Sequence, residues 1–484
     1  MKNTLYAIVM MAFCLMFASC DDWLDVKPYD KISENELMKT EEGYQKMLNG
    51  IYIDLNDEAL YGKTLSVEML EVMGGSYAIG TDNSVWGNYK DLASYKYGTE
   101  YWRSRLNQTW NKAYALILNC NKILESIDSK RDIFTDGNYY IIKGEATALR
   151  AMLHFDMLRL FGPVYSKDSD VAAIPYYTKV VNTPEPILSA KDVAEKVIAD
   201  LEDARVMLNN DPVKTEGTLM SGAVDGTGNF MRYRALRLNY YAVEALLARS
   251  YLYIGDKANA MNYASDVIKT VDSGIFPFVD KSLVVGSPAD PDRIFSSEVI
   301  FALTNTKRGN LFKEYYDPSR LPNYVFRMDN SMMNSLIYGG AAQTGGYPDD
   351  YRYRASWIAT GSNSYYYKYS DMVANGSIQN TMIPMLRLGE MFLIAAESQS
   401  SNLASGLQYV NILRKNRGVA NLSTLTPDLL KYEYVRELYG EGQLFFLYKR
   451  LYSDIISSSS SSKNTKASDL VFVVPLPDSE KDNR

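Results

Sequence analysis

One histidine in 484 residues leaves most imidazole chemistry without material. His154 stands between Leu153 and Phe155 in the most apolar helical segment, where a general base would lack both water and an aligned nucleophile, so it reads as a core residue. No His-Glu-x-x-His pair is present to hold a catalytic zinc. Gly62-Lys63-Thr64 imitates the end of a phosphate loop, but Asp57 occupies the place of the earlier glycine. Asp290 and Asp292 open like a calcium loop, yet Ile294 and Phe301 fall where oxygen ligands belong. No cofactor is expected, and a structural calcium is not indicated. Acidic residues, by contrast, number 58, which leaves a glycoside-hydrolase pair open as an alternative without pointing to one.

Cysteine is nearly as scarce, with three in the chain. Cys14 lies in the apolar run behind Lys2, and Cys20 follows Phe17-Ala18-Ser19 and precedes Asp21-Asp22. A charged start, a short apolar stretch and small residues before a cut site form an export signal. About 13 apolar residues is too short to span a bilayer, which needs about 20. Small residues directly before a cysteine fit a bacterial lipoprotein signal, so residues 1–19 are expected to be removed and Cys20 to be acylated. Several acyl chains on one cysteine exceed the two-signal requirement for stable membrane attachment. Cys120, in Asn119-Cys120-Asn121, is then the one thiol left, no internal disulfide can form, and Cys120 reads as a small buried apolar residue.

No Lys/Arg-rich block occurs and the formal net charge is −7, which excludes a typical nucleic-acid partner. No apolar run after Cys20 approaches membrane-spanning length. Tyrosine is what the chain has in excess: 39, against 16 Phe and 5 Trp. A flat apolar ring with a polar handle suits helix packing, interfaces and stacking on sugar rings.

Helical spacing accounts for much of the length. Thr40-Glu41-Glu42 starts a helix carrying Tyr44, Met47, Leu48, Ile51 and Leu55. Residues 102–127 carry a stripe of Leu106, Trp110, Ala113, Ile117 and Ile123. Tyr139 to Phe161 is apolar on more than one face and ends at Gly162-Pro163. Ser189 and Asp192 form a capping box for a helix to about Leu208. Arg234 to Tyr253 and Asp256 to Val271 read as an antiparallel pair with alanine-lined contact, similar to a tetratricopeptide unit. Met385 to Ser398 with Gly406 to Asn416 reads as a second pair, and Tyr139 to Phe161 with Ser189 to Leu208 as a third. The expected fold is mostly α: tetratricopeptide-like helix pairs forming a right-handed superhelical scaffold over about 36–272 and 384–484. Segments of about 74–101 and 276–383 read as irregular loops, and a long structureless stretch in a compact protein usually carries function. Thr426-Pro427 starts a late helix, Ser457 to Ser462 reads as a flexible loop, and Val471 to Val474 as a short strand. Residues 20–484 are expected to form one domain.

The ordered set of motifs resembles the SusD/RagB family of outer-membrane lipoproteins. It comprises Trp23-Leu24-Asp25-Val26-Lys27-Pro28 after the lipid site, Leu48-Asn49-Gly50-Ile51-Tyr52, Glu145 to Ala151 continued by Phe155 to Gly162, Leu386 to Glu397, Asn411 to Gly418, Arg436 to Gln443 with Lys449-Arg450, and Val474-Pro475-Leu476-Pro477. Arg150, Arg159, Glu145 and Glu390 interrupt apolar helices in these motifs and are expected to pair across the scaffold, since a buried charge without a partner is costly. The resemblance implies a non-enzymatic, surface-exposed protein, lipid-anchored in the outer membrane. Such a protein captures a nutrient, usually an oligosaccharide, and delivers it to a SusC-like TonB-dependent transporter. A RagB-like branch implies a peptide ligand instead.

A sugar site needs exposed aromatic faces beside amides, carboxylates or guanidinium groups. The first irregular segment offers Asp82, Asn83, Trp86, Asn88 and Tyr89; the second offers Tyr324, Arg327, Tyr347 and Trp357. Trp86, flanked by glycine and asparagine, is the leading single candidate for a stacking platform.

Overall fold

A computed structural model of the chain describes residues 34–79, 86–135, 137–222, 229–286, 290–320, 325–337, 349–371, 377–399 and 403–482. Cys20, its signal, Asp82, Asn83, Tyr324 and Tyr347 lie outside them.

Eight helices build the scaffold as a series. They are α1 (Glu41–Asp54), α2 (Glu100–Ile127), α3 (Asn138–Phe161), α4 (Ala190–Met207), α5 (Tyr240–Ile254), α6 (Lys257–Ile268), α7 (Leu388–Ser398) and α8 (Leu403–Lys415). From α2 to α8 each packs on the next in sequence, and α1 lies against α2 and α3. The result is mostly helical, as the apolar spacing requires, and the three expected pairs all pack. Two further helices, α9 (Pro427–Leu438) and α10 (Leu444–Leu451), close this end, α9 against α7.

Local chemistry sets most boundaries. The side chains of Thr40, Ser189, Asn239, Asp256 and Thr426 each accept a hydrogen bond from an N–H of the first turn, satisfying donors that the helix cannot use itself. Small residues set the separations: Ala245, Ala248, Ala260 and Ala264 are fully buried. At Gly406 a Cβ would stand 2.3 Å from the Ala396 carbonyl oxygen, so only glycine lets α8 approach α7 this closely. Cys120 is fully buried on α2, and burial pushes its thiol up to about 12.

The buried charges of the scaffold pair as expected. Arg150 on α3 makes a two-pronged contact with Asp200 on α4, at 2.7 and 2.8 Å, and a 3.0 Å bond to Asn121 on α2. Glu145 accepts from Arg234 at 2.8 Å, Arg237 at 2.9 Å and the Tyr52 hydroxyl at 2.8 Å. Arg249 on α5 bonds Glu390 on α7 at 2.6 and 2.7 Å, and Arg159 reaches Asp156 and Gln443. His154 is fully buried and neutral. Its Nδ1 donates to the Arg150 carbonyl at 2.9 Å, its Nε2 accepts from the Tyr177 N–H at 3.1 Å, and burial pushes its pKa down to about 3.

Several expectations for the irregular regions are corrected. The stretch 74–101 contains a helix, Gly87–Ala93, and the start of α2. The stretch 276–383 carries real secondary structure: β3 (Val299–Thr304) pairs antiparallel with β7 (Met382–Arg387), and β4 (Arg327–Asp329), β6 (Asn363–Tyr366) and β5 (Trp357–Thr360) form a three-stranded sheet. A further hairpin, β1 (Ala172–Pro175) with β2 (Ile187–Ser189), joins α3 to α4. Because β7 runs to Arg387, α7 begins at Leu388, not Met385, and α5 begins at Tyr240, where Asn239 caps it, not at Arg234. Val471 to Val474 is not a strand; Asp469–Phe472 forms a short helix. The serine run is docked: Asp329 accepts from the Ser460 N–H at 2.7 Å and hydroxyl at 2.8 Å, and the Ser458 hydroxyl donates to the Gly75 carbonyl at 2.7 Å.

Candidate functional site

The two segments expected to hold the ligand do meet, through a cluster of rings that forms core. Phe326 stacks on Tyr77 with centroids 4.1 Å apart and lies within 5.2–5.5 Å of Tyr89, Tyr315 and Trp86. The Ala78 N–H donates to the Arg327 carbonyl at 2.8 Å, tying the first segment to β4. Trp86 is only 4% exposed, so it packs the segments together and offers no face to solvent, contrary to the sequence expectation. Trp357, 5% exposed, is likewise enclosed, between Tyr366 and Tyr439 at 4.7 and 4.8 Å. Arg327 is half-buried and its Nε donates to the Asn363 side chain at 2.8 Å across the sheet. Asn88 is exposed and Tyr89 half-buried.

Asn88 borders an open cleft of about 780 Å³ whose floor is the first two turns of α2. Tyr101, Ser104, Arg105 and Gln108 fall three and four residues apart and therefore share one helix face, opposite the buried Trp102, Leu106 and Trp110. Thr99 and Glu100 at the head of the helix and Lys63 complete the lining. Tyr101 is 38% exposed and presents its ring there.

A buried carboxylate organises the cleft wall. Glu68 accepts from Arg105 Nη2 at 2.9 and 3.2 Å and from the Tyr89 hydroxyl at 2.7 Å, and Lys63 Nζ lies 4.0 Å away. Burial acts against the Arg105 charge, but Glu68 outweighs it and holds the guanidinium above its ordinary pKa. Burial and then Glu68 push the Tyr89 phenol well up, so it stays protonated and donates to Glu68. Arg105 is 5.7 Å from the centre of the Tyr101 ring, and Lys63 lies 5.3 Å from that of Tyr315. Arg105 Nε and Thr99 Oγ1 are buried with no hydrogen-bond partner among the described residues. An open ring face beside amides, a hydroxyl and a held guanidinium is suited to a polyhydroxylated ligand.

Sequence reasoning misses Tyr101, Arg105 and Gln108: Tyr101 falls at the end of the stretch read as loop, and Arg105 and Gln108 lie on the polar side of a helix read by its apolar stripe. The signal was present in the polar stripe itself, which carries an aromatic where charged or small residues are usual. Among the described residues no group of three or more His, Cys, Asp or Glu side chains could hold a metal ion, and no helix is long and apolar enough to cross a membrane.

The chain matches two family descriptions: "Starch-binding associating with outer membrane" over residues 22–221, and "SusD family" over residues 301–470. SusD-like protein P38 of Formosa agariphila is 22% identical over 89% of this chain and 85% of its own length. SusD-like protein P2 of the same organism is 25% identical over 42% of this chain; the match spans only 38% of that protein. A solved SusD superfamily protein from Bacteroides thetaiotaomicron superposes with a TM-score of 0.72 at 22% identity, covering 92% of this chain and 98% of the other. A laminarin-binding SusD-like protein gives 0.66 at 16% identity, over 92% and 98%. Helix series, ion-paired motifs and both matched regions agree, and the chain belongs to the SusD/RagB family of starch-binding-like proteins.

Proposed function

We propose that this chain captures an oligosaccharide at the cell surface, without cleaving it, and delivers it to a partner TonB-dependent outer-membrane transporter. The observation that carries the reading is the exposed Tyr101 ring, set beside Asn88, Arg105 and Gln108 in an open cleft. Stacking on an aromatic face and hydrogen bonds to hydroxyls are how a sugar is recognised without charge. Laminarin binding by a SusD-like structural neighbour and the starch-binding description of the matched family support a glycan. Acylation of Cys20 would hold the protein at the outer membrane, with the helical body outside the bilayer.

Calorimetric titration with neutral oligosaccharides, laminarin and starch fragments first, tests the reading. Tyr101→Ala is expected to weaken binding about fivefold, the loss of one stacking contact of about 1 kcal/mol, while melting stays nearly unchanged. Equal affinity in the variant removes the cleft from the site. Shortened products in the incubation mixture would favour a hydrolase, and binding of peptides alone would favour a RagB-like role. Loss of membrane association in Cys20→Ala checks the anchor.

A further inference from the structure

Charge in the cleft of α2 is unevenly divided. Lys63, Glu100 and Arg105 are the charged side chains that line it, and both cations are already engaged. Lys63 Nζ stands 3.5 Å from Glu58, 3.8 Å from Glu314 and 4.0 Å from Glu68, and it lies 5.3 Å from the centre of the Tyr315 ring. Arg105 Nη2 is turned to both oxygens of Glu68, at 2.9 and 3.2 Å. Glu100, by contrast, is exposed and forms no ion pair within 4.0 Å among the described residues. Its field reaches Arg103, which is itself paired with Asp478. The lining charges and all their ion-pair partners therefore set four carboxylates, Glu58, Glu68, Glu100 and Glu314, against two cations. Residues 80–85 and 321–324, which flank this region in sequence and lie outside the described residues, contain Asp82 and no Lys or Arg.

Two of the four carboxylates are not needed for packing. The Glu58 and Glu314 side chains are 74% and 55% exposed, and ion pairs at such positions add little to stability. What they do change is the potential of the cleft, whose walls focus the field on whatever enters. A sugar carboxylate lying against Tyr101 meets Glu100 without a counter-ion. It reaches Lys63 or Arg105 only by displacing carboxylates that already hold them, and like charges brought together are a strong means of turning a wrong ligand away. An uncharged sugar leaves every ion pair in place and needs only hydroxyl contacts with Asn88, Ser104 and Gln108.

We propose that the cleft accepts uncharged oligosaccharides and rejects acidic ones, uronate and sulfated glycans alike, with Glu58 and Glu314 as specificity-determining residues. This selectivity rests on the glycan reading and narrows its substrate class. The purified chain is to be screened on an array of neutral, uronate and sulfated oligosaccharides. A bound neutral glycan is then titrated beside the same backbone oxidised at its primary hydroxyls to the uronate, a pair that differs in charge alone among its larger features. Near 10 mM salt, where the Debye length is about 30 Å, the neutral form is expected to bind at least about tenfold more tightly; near 1 M salt, at about 3 Å, most of that ratio should be gone. Glu58→Gln combined with Glu314→Gln should narrow the low-salt ratio about fivefold. An acidic glycan bound through Tyr101 as tightly as the neutral ones, or a ratio indifferent to salt and to the double substitution, overturns the selectivity and leaves the glycan reading standing. No glycan bound, or binding that ignores Tyr101→Ala, overturns the glycan reading itself and the selectivity with it.

Discussion

The helical scaffold and the loop-rich region are joined to themselves and to each other by different physics. Between α2 and α8, neighbours in sequence are neighbours in space, and small apolar residues with a few isolated ion pairs hold each step. The 276–383 region is attached instead through long-range charge. Glu437 on α9 accepts from Arg417 and Arg387 at 2.7 Å and from Arg352 at 3.1 Å, and Arg417 goes on to Glu298 at 2.6 and 2.7 Å. Burial disfavours the Glu437 charge, but these guanidinium groups hold it well below the usual carboxylate range. A repeat scaffold tolerates drift because each contact is local. A buried charge network does not, since every member left alone is penalised.

Glu437→Ala should separate the two regions most strongly. It removes the carboxylate that three buried guanidinium groups share, each of which keeps a second acidic partner, and a loss of about 3 kcal/mol is expected, read as a lower urea midpoint with protease cleavage appearing first within 276–383. Cleavage in the scaffold helices first would contradict the division.

Glu71 sharpens the same boundary by titration. Its carboxyl is buried, accepts from Ser76 and from the Gly442 N–H at 2.7 Å, and burial raises it from 4.5 to about 7. Below pH 4.5 the group is protonated in both states and costs nothing. As pH rises through 7 the native proton is lost, and about 3 kcal/mol of stability should go with it. Glu71→Gln should flatten urea midpoints between pH 4.5 and 8; a slope unchanged by the substitution places the titration elsewhere. On the scaffold side, Ser189→Ala removes the cap of α4 and should lower stability by about 1 kcal/mol, without pH dependence in this window.

The same division explains what the sequence revealed. Helices α1, α3, α4 and α9 were legible because Thr40, Gly162, Ser189 and Thr426-Pro427 mark their ends locally. Strands β4, β5 and β6 were not: each has only three or four residues, and β4 joins β6 across more than thirty residues, as Arg327 with Tyr365. Trp86 misled for a related reason. Its immediate neighbours suggested exposure, whereas the ring that covers it, Phe326, is distant in the chain. Charged residues in the motifs were recognised as paired, but only the fold shows that Arg387, Arg417 and Glu437 converge.

Cys120 lends itself to a practical use. Sealed inside α2 with its proton tightly held, it stays silent to a maleimide until the surrounding helices part. With Cys14 and Cys20 removed or replaced, pulse labelling at this sulfur becomes a clock for scaffold opening, blind to motions of the loops that handle ligand.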